Sequence, residues 1–82
     1  MYGEVPIVSV GSRVTIRDSA GEDTFRIVND EFADPTGRRW ISEGSPMARA
    51  LIGHRPGEVV RVRAPSGVQA VTLLAVEAVS EP

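Results

Sequence analysis

The segment from Ser45 to Gly53 constrains the fold of this 82-residue chain more than any other, because it predicts a short helix with both ends marked. Ser45 is a favourable N-cap residue, and Pro46 suits the first helical position, where its missing N–H group costs nothing. Gly53 suits the left-handed position that follows a helix C-terminus. One apolar face forms at i, i+3, i+4 spacing from Met47, Ala50 and Leu51. We therefore expect a short helix that lies on a hydrophobic core.

Alternating segments before this helix predict β-strands. Residues 7–17 form a half-buried strand whose apolar face carries Val8, Val10, Val14 and Ile16. Gly11-Ser12 marks either a bulge in this strand or its true start. Residues 18–23 have turn chemistry, and residues 24–28 follow as a second strand with Phe25 and Ile27 on one side. The two strands are expected to pair as an antiparallel hairpin.

The rest of the chain has the same organisation. Residues 29–39 are polar, with a tight turn predicted at 34–37, and Trp40 and Ile41 form a short strand. Apolar and charged residues alternate over residues 59–63, which predicts a strand with Val60 and Val62 facing inward and Arg61 and Arg63 facing outward. A hairpin turn at 65–67 leads from this strand to residues 68–79. Residues 68–79 are apolar on both parities, as is typical of a central strand buried on both faces. A sheet with one helix packed on it is an α+β half-barrel.

Composition limits the functional classes. The length suits a single domain, and the absence of cysteine excludes disulfides, thiolate catalysis and cysteine-based zinc sites. It also agrees with a reducing cytosol. No apolar run approaches the roughly 20 residues that span a bilayer, so nothing points to a membrane. The net charge of −2 argues against a general nucleic-acid binder. The charge is unevenly distributed, since residues 1–44 carry eight acidic residues and five arginines, whereas residues 45–82 carry three acidic residues and four arginines.

The amino-acid sequence around the helix resembles the C-terminal domain of the GreA/GreB transcript-cleavage and elongation factors, a domain that the regulator Rnk shares. The specific part is Ser45-Pro46-Met47-Ala48-Arg49-Ala50-Leu51, preceded by Ile41-Ser42 and followed by Pro56-Gly57-Glu58-Val59. The similarity extends from about Val10 to Val79. It implies an FKBP-like α+β fold, a bent antiparallel β-sheet packed on one short helix. Residues 1–82 would then be a single domain with its core at about residues 10–79.

The resemblance also implies a function. In this family the domain docks on bacterial RNA polymerase at the secondary channel rim, against a coiled coil of the largest subunit. Carried over residue by residue, the docking surface comprises Ser45, Pro46 and Met47. The same residues have a simpler interpretation, as a helix cap and a core side chain. The resemblance implies a cytoplasmic monomer without catalytic residues, metal, cofactor, membrane contact or direct sequence-specific nucleic-acid binding.

Two departures from the family pattern matter. Gre factors carry an N-terminal coiled coil whose acidic tip helps to hold a catalytic magnesium ion. About nine residues precede the first matched strand here, whereas a helical hairpin at 1.5 Å per residue needs dozens. Transcript cleavage by this chain alone is therefore not expected, and both an excised domain and a stand-alone Rnk-like regulator stay open. Family members also often place Asp before Ser-Pro, where this chain has Gly44, with Glu43 next to it.

The remaining candidate residues favour structural or surface roles. The carboxylates Asp30, Glu31 and Asp34 lack the spacing of a cation-binding loop and suggest a solvated loop. His54 has no nearby catalytic partner in sequence and suits the C-terminal end of the helix.

Two pairs of arginines are weaker candidates for contact with phosphate or with an acidic partner surface. Arg38 and Arg39 are adjacent and would point in opposite directions on a strand, whereas Arg61 and Arg63 share a face and form a better electropositive stripe. An FKBP-type peptidyl-prolyl isomerase is the enzymatic alternative, with Trp40 on a pocket floor. Such a pocket needs several aromatic residues, and the whole chain has four.

Overall fold

In a computed structural model, which describes residues 6–34, 39–65 and 67–78, five strands form one sheet with a short helix on it. The strands are β1 (Ser12–Asp18), β2 (Gly21–Val28), β3 (Trp40–Ser42), β4 (Val59–Ala64) and β5 (Gly67–Ala78). A 3-10 turn spans Asp30–Phe32, and helix α1 spans Pro46–Leu51. The strand order is β3-β2-β1-β5-β4. The predicted α+β class is confirmed.

The sheet is mixed. The β1–β2, β1–β5 and β4–β5 pairs are antiparallel, which confirms both predicted hairpins. The β2–β3 pair is parallel, with Ile27 opposite Ile41, so the expectation of an antiparallel sheet is corrected for this pair. The polar segment between β2 and β3 carries the chain back along the sheet, a connection that alternation within each strand does not specify. Of the turn predicted at 34–37, residues 35–37 lie outside the described residues.

Strand β1 begins at Ser12, which is the second of the two interpretations that Gly11-Ser12 allowed. Gly11 has a φ of 99°, and its N–H donates to the carbonyl of Ile27 at 2.7 Å. The turn before β1 leaves Val10 exposed, which corrects its expected place on the buried face. Val8 is buried by a different route, because backbone hydrogen bonds join it to Gly53 and His54 behind α1.

A β-bulge explains why β5 is apolar on both parities. Thr15 pairs with Ala75, but Ile16 pairs with Leu73, so Leu74 is an extra residue on β5. The core side therefore changes parity along the strand. The buried residues of β5 are Val71, Leu73 and Val76. Ala75 is exposed, so the prediction of burial on both faces is wrong. Strand β5 is nevertheless an interior strand between β1 and β4, with β1 in the middle position.

The core lies between the sheet and α1. It comprises Val8, Val14, Ile16, Phe25, Ile27, Ile41, Ala48, Leu51, Val60, Val62, Val71, Leu73 and Val76. Helix α1 contributes Ala48 and Leu51, both with no exposed surface, and contacts β4. Met47 and Ala50 pack against this core while partly exposed. The predicted apolar face of the helix is confirmed, with Ala48 as an addition. No helix among the described residues meets the length and hydrophobicity that crossing a bilayer requires.

The adjacent residues Leu51 and Ile52 provide a matched test of this packing. Leu51 is fully buried and Ile52 is 37% exposed. We expect Leu51→Ala to lower the free energy of unfolding by about 2–5 kcal/mol, because it removes buried methyl groups and leaves a cavity. Ile52→Ala should cost less than about 1 kcal/mol. Urea denaturation followed by circular dichroism measures both, and equal losses would contradict the assigned core face.

Candidate functional site

The turn before α1 is fixed by its own hydrogen bonds. Ser45 has extended backbone dihedrals, and its hydroxyl accepts a hydrogen bond from the N–H of Ala48 at 3.2 Å. The Ser45 carbonyl accepts from the N–H of Arg49 at 2.9 Å, and Pro46 occupies the first helical position. Ser45 is therefore the N-cap, as predicted. Its side chain is half-buried, whereas Pro46 is exposed.

A second group of hydrogen bonds joins this turn to the 3-10 turn. The Ser42 hydroxyl donates to the carboxylate of Asp30 and accepts from the N–H of Gly44 at 2.9 Å. The N–H of Glu43 donates to the carbonyl of Val28 at 2.8 Å. The approach to Ser45 is thus held from two sides. Sequence reasoning missed this arrangement, although a serine two residues before a glycine is a local signal for such a turn.

The start of α1 lies at the edge of a concave depression with a volume of about 500 Å³. We call it the α1 groove. Its apolar wall is formed by Phe25, Ile41, Met47, Val62 and Pro65, and its rim includes Asp23, Asp34, Ser42, Ser45, Pro46, Arg63 and Gln69. Strands β2, β3 and β4 and helix α1 all contribute to it. The fold therefore brings Ser45, Pro46 and Met47 together at one apolar depression.

Met47 is both a core residue and a groove residue. It packs against the buried cluster and also lines the α1 groove. A flexible thioether side chain of this kind adapts to irregular partner surfaces. The two interpretations of Met47 that the sequence offers are thus structurally compatible.

Gly44 has room for a side chain. A Cβ atom at this position would lie 3.5 Å from the Ser42 hydroxyl and 3.8 Å from a carboxylate oxygen of Asp30, which are ordinary contact distances. An aspartate here would place a second carboxylate beside Asp30, and like charges at that range repel. The absence of an acidic residue at position 44 therefore suits the Asp30–Ser42 bond.

Arg61 and Arg63 lie exposed on β4, as predicted, opposite the buried Val60 and Val62. Arg49 of α1 joins them around a second depression, which Gly44, Pro46 and Ala50 also line. Sequence reasoning did not single out Arg49. Its helical position, two residues before Leu51 and away from the buried face, was the available signal.

Trp40 does not lie in the α1 groove. Because neighbouring strand residues point to opposite faces, buried Ile41 places Trp40 on the other side of β3. The guanidinium of Arg26 lies over its ring, 5.4 Å from the centroid, and the two residues are also paired in register. A separate depression there also includes Val10 and Phe32. Trp40 thus lines a depression, as the isomerase alternative required, but one that is separate from the α1 groove.

The acidic candidates form no metal site within the described residues. Asp30 is engaged with Ser42, and Glu31 is exposed in the 3-10 turn. Of the adjacent arginines, Arg38 lies outside the described residues, and Arg39 is exposed with its carbonyl accepting from the N–H of Arg26 at 2.6 Å.

His54 pairs with a carboxylate. Its Nδ1 atom contacts Glu58, and this hydrogen bond, chiefly, lowers the pKa of Glu58 from its ordinary value. The backbone of His54 binds the Leu51 carbonyl and the Val8 N–H, both at 3.0 Å. Both the side chain and the backbone of His54 therefore have structural contacts, in agreement with the structural or surface role expected for it.

Comparisons with known proteins agree on one family. The family model described as transcription elongation factor GreA/GreB, C-terminal, matches residues 4–78. GreA of Thermomicrobium roseum is 40% identical over 75 residues, which are 92% of this chain and 47% of that protein. GreA of Sinorhizobium medicae is 43% identical over 72 residues, 85% of this chain and 45% of that protein. The chain thus spans about half the length of the curated relatives it matches.

Solved structures give the same result. GreA factor homolog 1 of Thermus thermophilus superposes with a TM-score of 0.74 at 29% identity, covering 94% of this chain and 52% of that one. A GreA/GreB elongation factor from Nitrosomonas europaea gives 0.70 at 26% identity, covering 89% and 62%. The chain therefore belongs to the GreA/GreB transcription elongation factor family and corresponds to its C-terminal domain.

The cap at Ser45 is open to a direct test. We expect Ser45→Ala to lower the free energy of unfolding by about 1 kcal/mol, because the N–H of Ala48 loses its acceptor. Ser45→Asn should keep most of the stability, since asparagine is an equally good N-cap. Thermal melting of the two variants measures the difference. If both variants melt at the same temperature, the hydroxyl is not the stabilising acceptor.

Proposed function

We propose that this chain, as a GreA/GreB family member, is an RNA polymerase-binding module whose contact surface is built on Ser45, Pro46 and Met47. This surface would contact the largest subunit of bacterial RNA polymerase at the rim of the secondary channel, in the cytoplasm. The observation that carries the proposal is the convergence of the family's helix-start residues at the α1 groove.

The geometry supports a protein–protein contact. Pro46 is exposed at the groove rim, and the groove offers an apolar depression for one partner side chain. Protein interfaces are usually dominated by a few anchors that fill such depressions, surrounded by a polar rim. The cap and the Asp30–Ser42–Gly44 bonds hold the contact residues in place before binding. Such preorganisation reduces the entropy lost on association.

The proposed role is recognition and not chemistry. A docking module needs shape and charge complementarity alone, so we assign this chain no catalytic residue. The same contact serves a factor that carries a coiled coil for transcript cleavage and a stand-alone Rnk-like regulator that competes for the channel rim. The proposal therefore concerns docking in either setting.

A fold-preserving double variant tests the contact. Ser45→Asn keeps an N-cap and Pro46→Ala keeps a good helix-former, so the variant Ser45→Asn/Pro46→Ala should retain α1. We expect it to bind bacterial core RNA polymerase at least about fivefold more weakly, the loss typical of an interface anchor. Biolayer interferometry with immobilised polymerase measures the dissociation constant, and thermal melting confirms the fold.

The matched control places the same two changes elsewhere. Ser19 lies in the β1–β2 turn and Pro6 near the start of the described chain, and both are exposed. The Ser19→Asn/Pro6→Ala variant should bind polymerase as the parent chain does. Equal affinity of parent, test and control variants, with unchanged melting, would remove Ser45 and Pro46 from the contact.

The enzymatic alternative is tested separately. A proline-binding pocket is usually lined by several aromatic residues. Of the aromatic residues that the structure describes, only Phe25 lines the α1 groove, whereas Phe32 and Trp40 line another depression. We expect no acceleration of prolyl isomerisation in a tetrapeptide assay at micromolar chain concentrations. Acceleration that Phe25→Leu abolishes would establish an isomerase instead.

A further inference from the structure

Three arginines line the depression next to the α1 groove. Arg61 and Arg63 project from β4, and Arg49 projects from α1. All three are exposed. We call these three residues the arginine patch. Pro46 and Arg63 line both depressions, so the patch is continuous with the proposed contact surface.

No ion pair between described residues involves the arginine patch, although Asp23 and Asp34 lie on the rim of the α1 groove that Arg63 also lines. The ion pairs among residues 6–34, 39–65 and 67–78 are Arg13–Glu77, Arg17–Glu22 and His54–Glu58. The residues opposite Arg61 and Arg63 on β5 are Ala70 and Val68, and the first turn of α1 has no acidic residue. Three positive charges therefore lie together on a chain whose net charge is −2.

We propose that the arginine patch binds carboxylate groups on the polymerase surface that meets the α1 groove. This inference rests on the proposed function and adds the chemistry of the partner. Arginine suits the role, because its planar guanidinium forms two parallel hydrogen bonds with one carboxylate. Three arginines without an ion-pair partner among the described residues also favour a local positive potential that steers an acidic surface into contact.

The surroundings of the patch favour a protein over a nucleic acid. The patch adjoins an apolar groove and an exposed proline, which suit aliphatic side chains. Among the residues that the structure describes, no aromatic side chain on which a base would stack lines its depression. The net negative charge of the chain also opposes a phosphate backbone, which extends far beyond three arginines.

A charge-neutralising variant tests the inference. In Arg49→Gln/Arg61→Gln/Arg63→Gln, the glutamines keep part of each aliphatic stem and remove the charge. We expect about tenfold weaker binding of the chain to core RNA polymerase, mostly through slower association, because charges at an interface rim act on the on-rate. Raising the salt concentration from about 0.05 to about 0.3 M should weaken polymerase binding by the parent chain more than binding by the variant, since added salt screens the attraction.

The control variant Arg13→Gln/Arg17→Gln/Arg55→Gln removes the same charge from other exposed positions. It should stay within about twofold of the parent chain, because screened charges outside the contact contribute little. Melting curves of all three chains confirm that the folds are equal.

The outcomes separate the two proposals. If the parent chain binds polymerase and the patch variant binds equally well at both salt concentrations, the inference is overturned while the docking proposal stands. If the parent chain does not bind, both fail. A 20-nucleotide single strand provides the alternative probe. If it binds the parent chain and not the patch variant, while polymerase binding is unchanged, the patch serves nucleic acid and the inference is wrong.

Discussion

Packing of α1 against the sheet is the constraint on which the rest of the structure depends. A helix of six residues has no stability by itself in water, because the cost of nucleation exceeds the gain from so few hydrogen bonds. It persists here because Ala48 and Leu51 are fully buried and Ser45 caps its start. Its end is tied to the N-terminal segment, where the N–H of Gly53 donates to the carbonyl of Val8 at 2.9 Å. Loss of this packing would remove the α1 groove with the helix.

The features that the sequence predicted are those with local signals. Ser45, Pro46 and Gly53 mark the helix ends by chemistry that acts within one turn, and alternation around Val60 and Val62 identifies a half-buried strand. The missed features depend on distant residues. Nothing near Trp40 shows that β3 runs parallel to β2, and nothing near Leu74 shows that it bulges against β1. Parity alone therefore misassigned burial on β5, where an extra residue changed which side chains face the core.

The candidate site likewise contains residues that a local sequence motif identifies and residues that only the folded chain brings together. Ser45, Pro46 and Met47 are contiguous in sequence, so a motif was enough to select them. Their neighbours Phe25 and Val62 come from β2 and β4, and only the assembled sheet brings them to the same groove. Arg49 likewise meets Arg61 and Arg63 only because α1 packs beside β4. The proposed acidic partner surface would meet an apolar depression, an exposed proline and three arginines that form no ion pair with another described residue.

The central claim is that the face at the start of α1 is the part of this chain that contacts RNA polymerase. Hydrogen exchange of the 82-residue chain, free and with saturating core polymerase, tests it without any mutation. The account predicts slower exchange at residues 44–51 and 61–63 in the complex, because contact excludes water and suppresses local opening. The β1–β2 turn at residues 18–21 should exchange unchanged. Protection confined to that turn, with none at α1, would contradict the account.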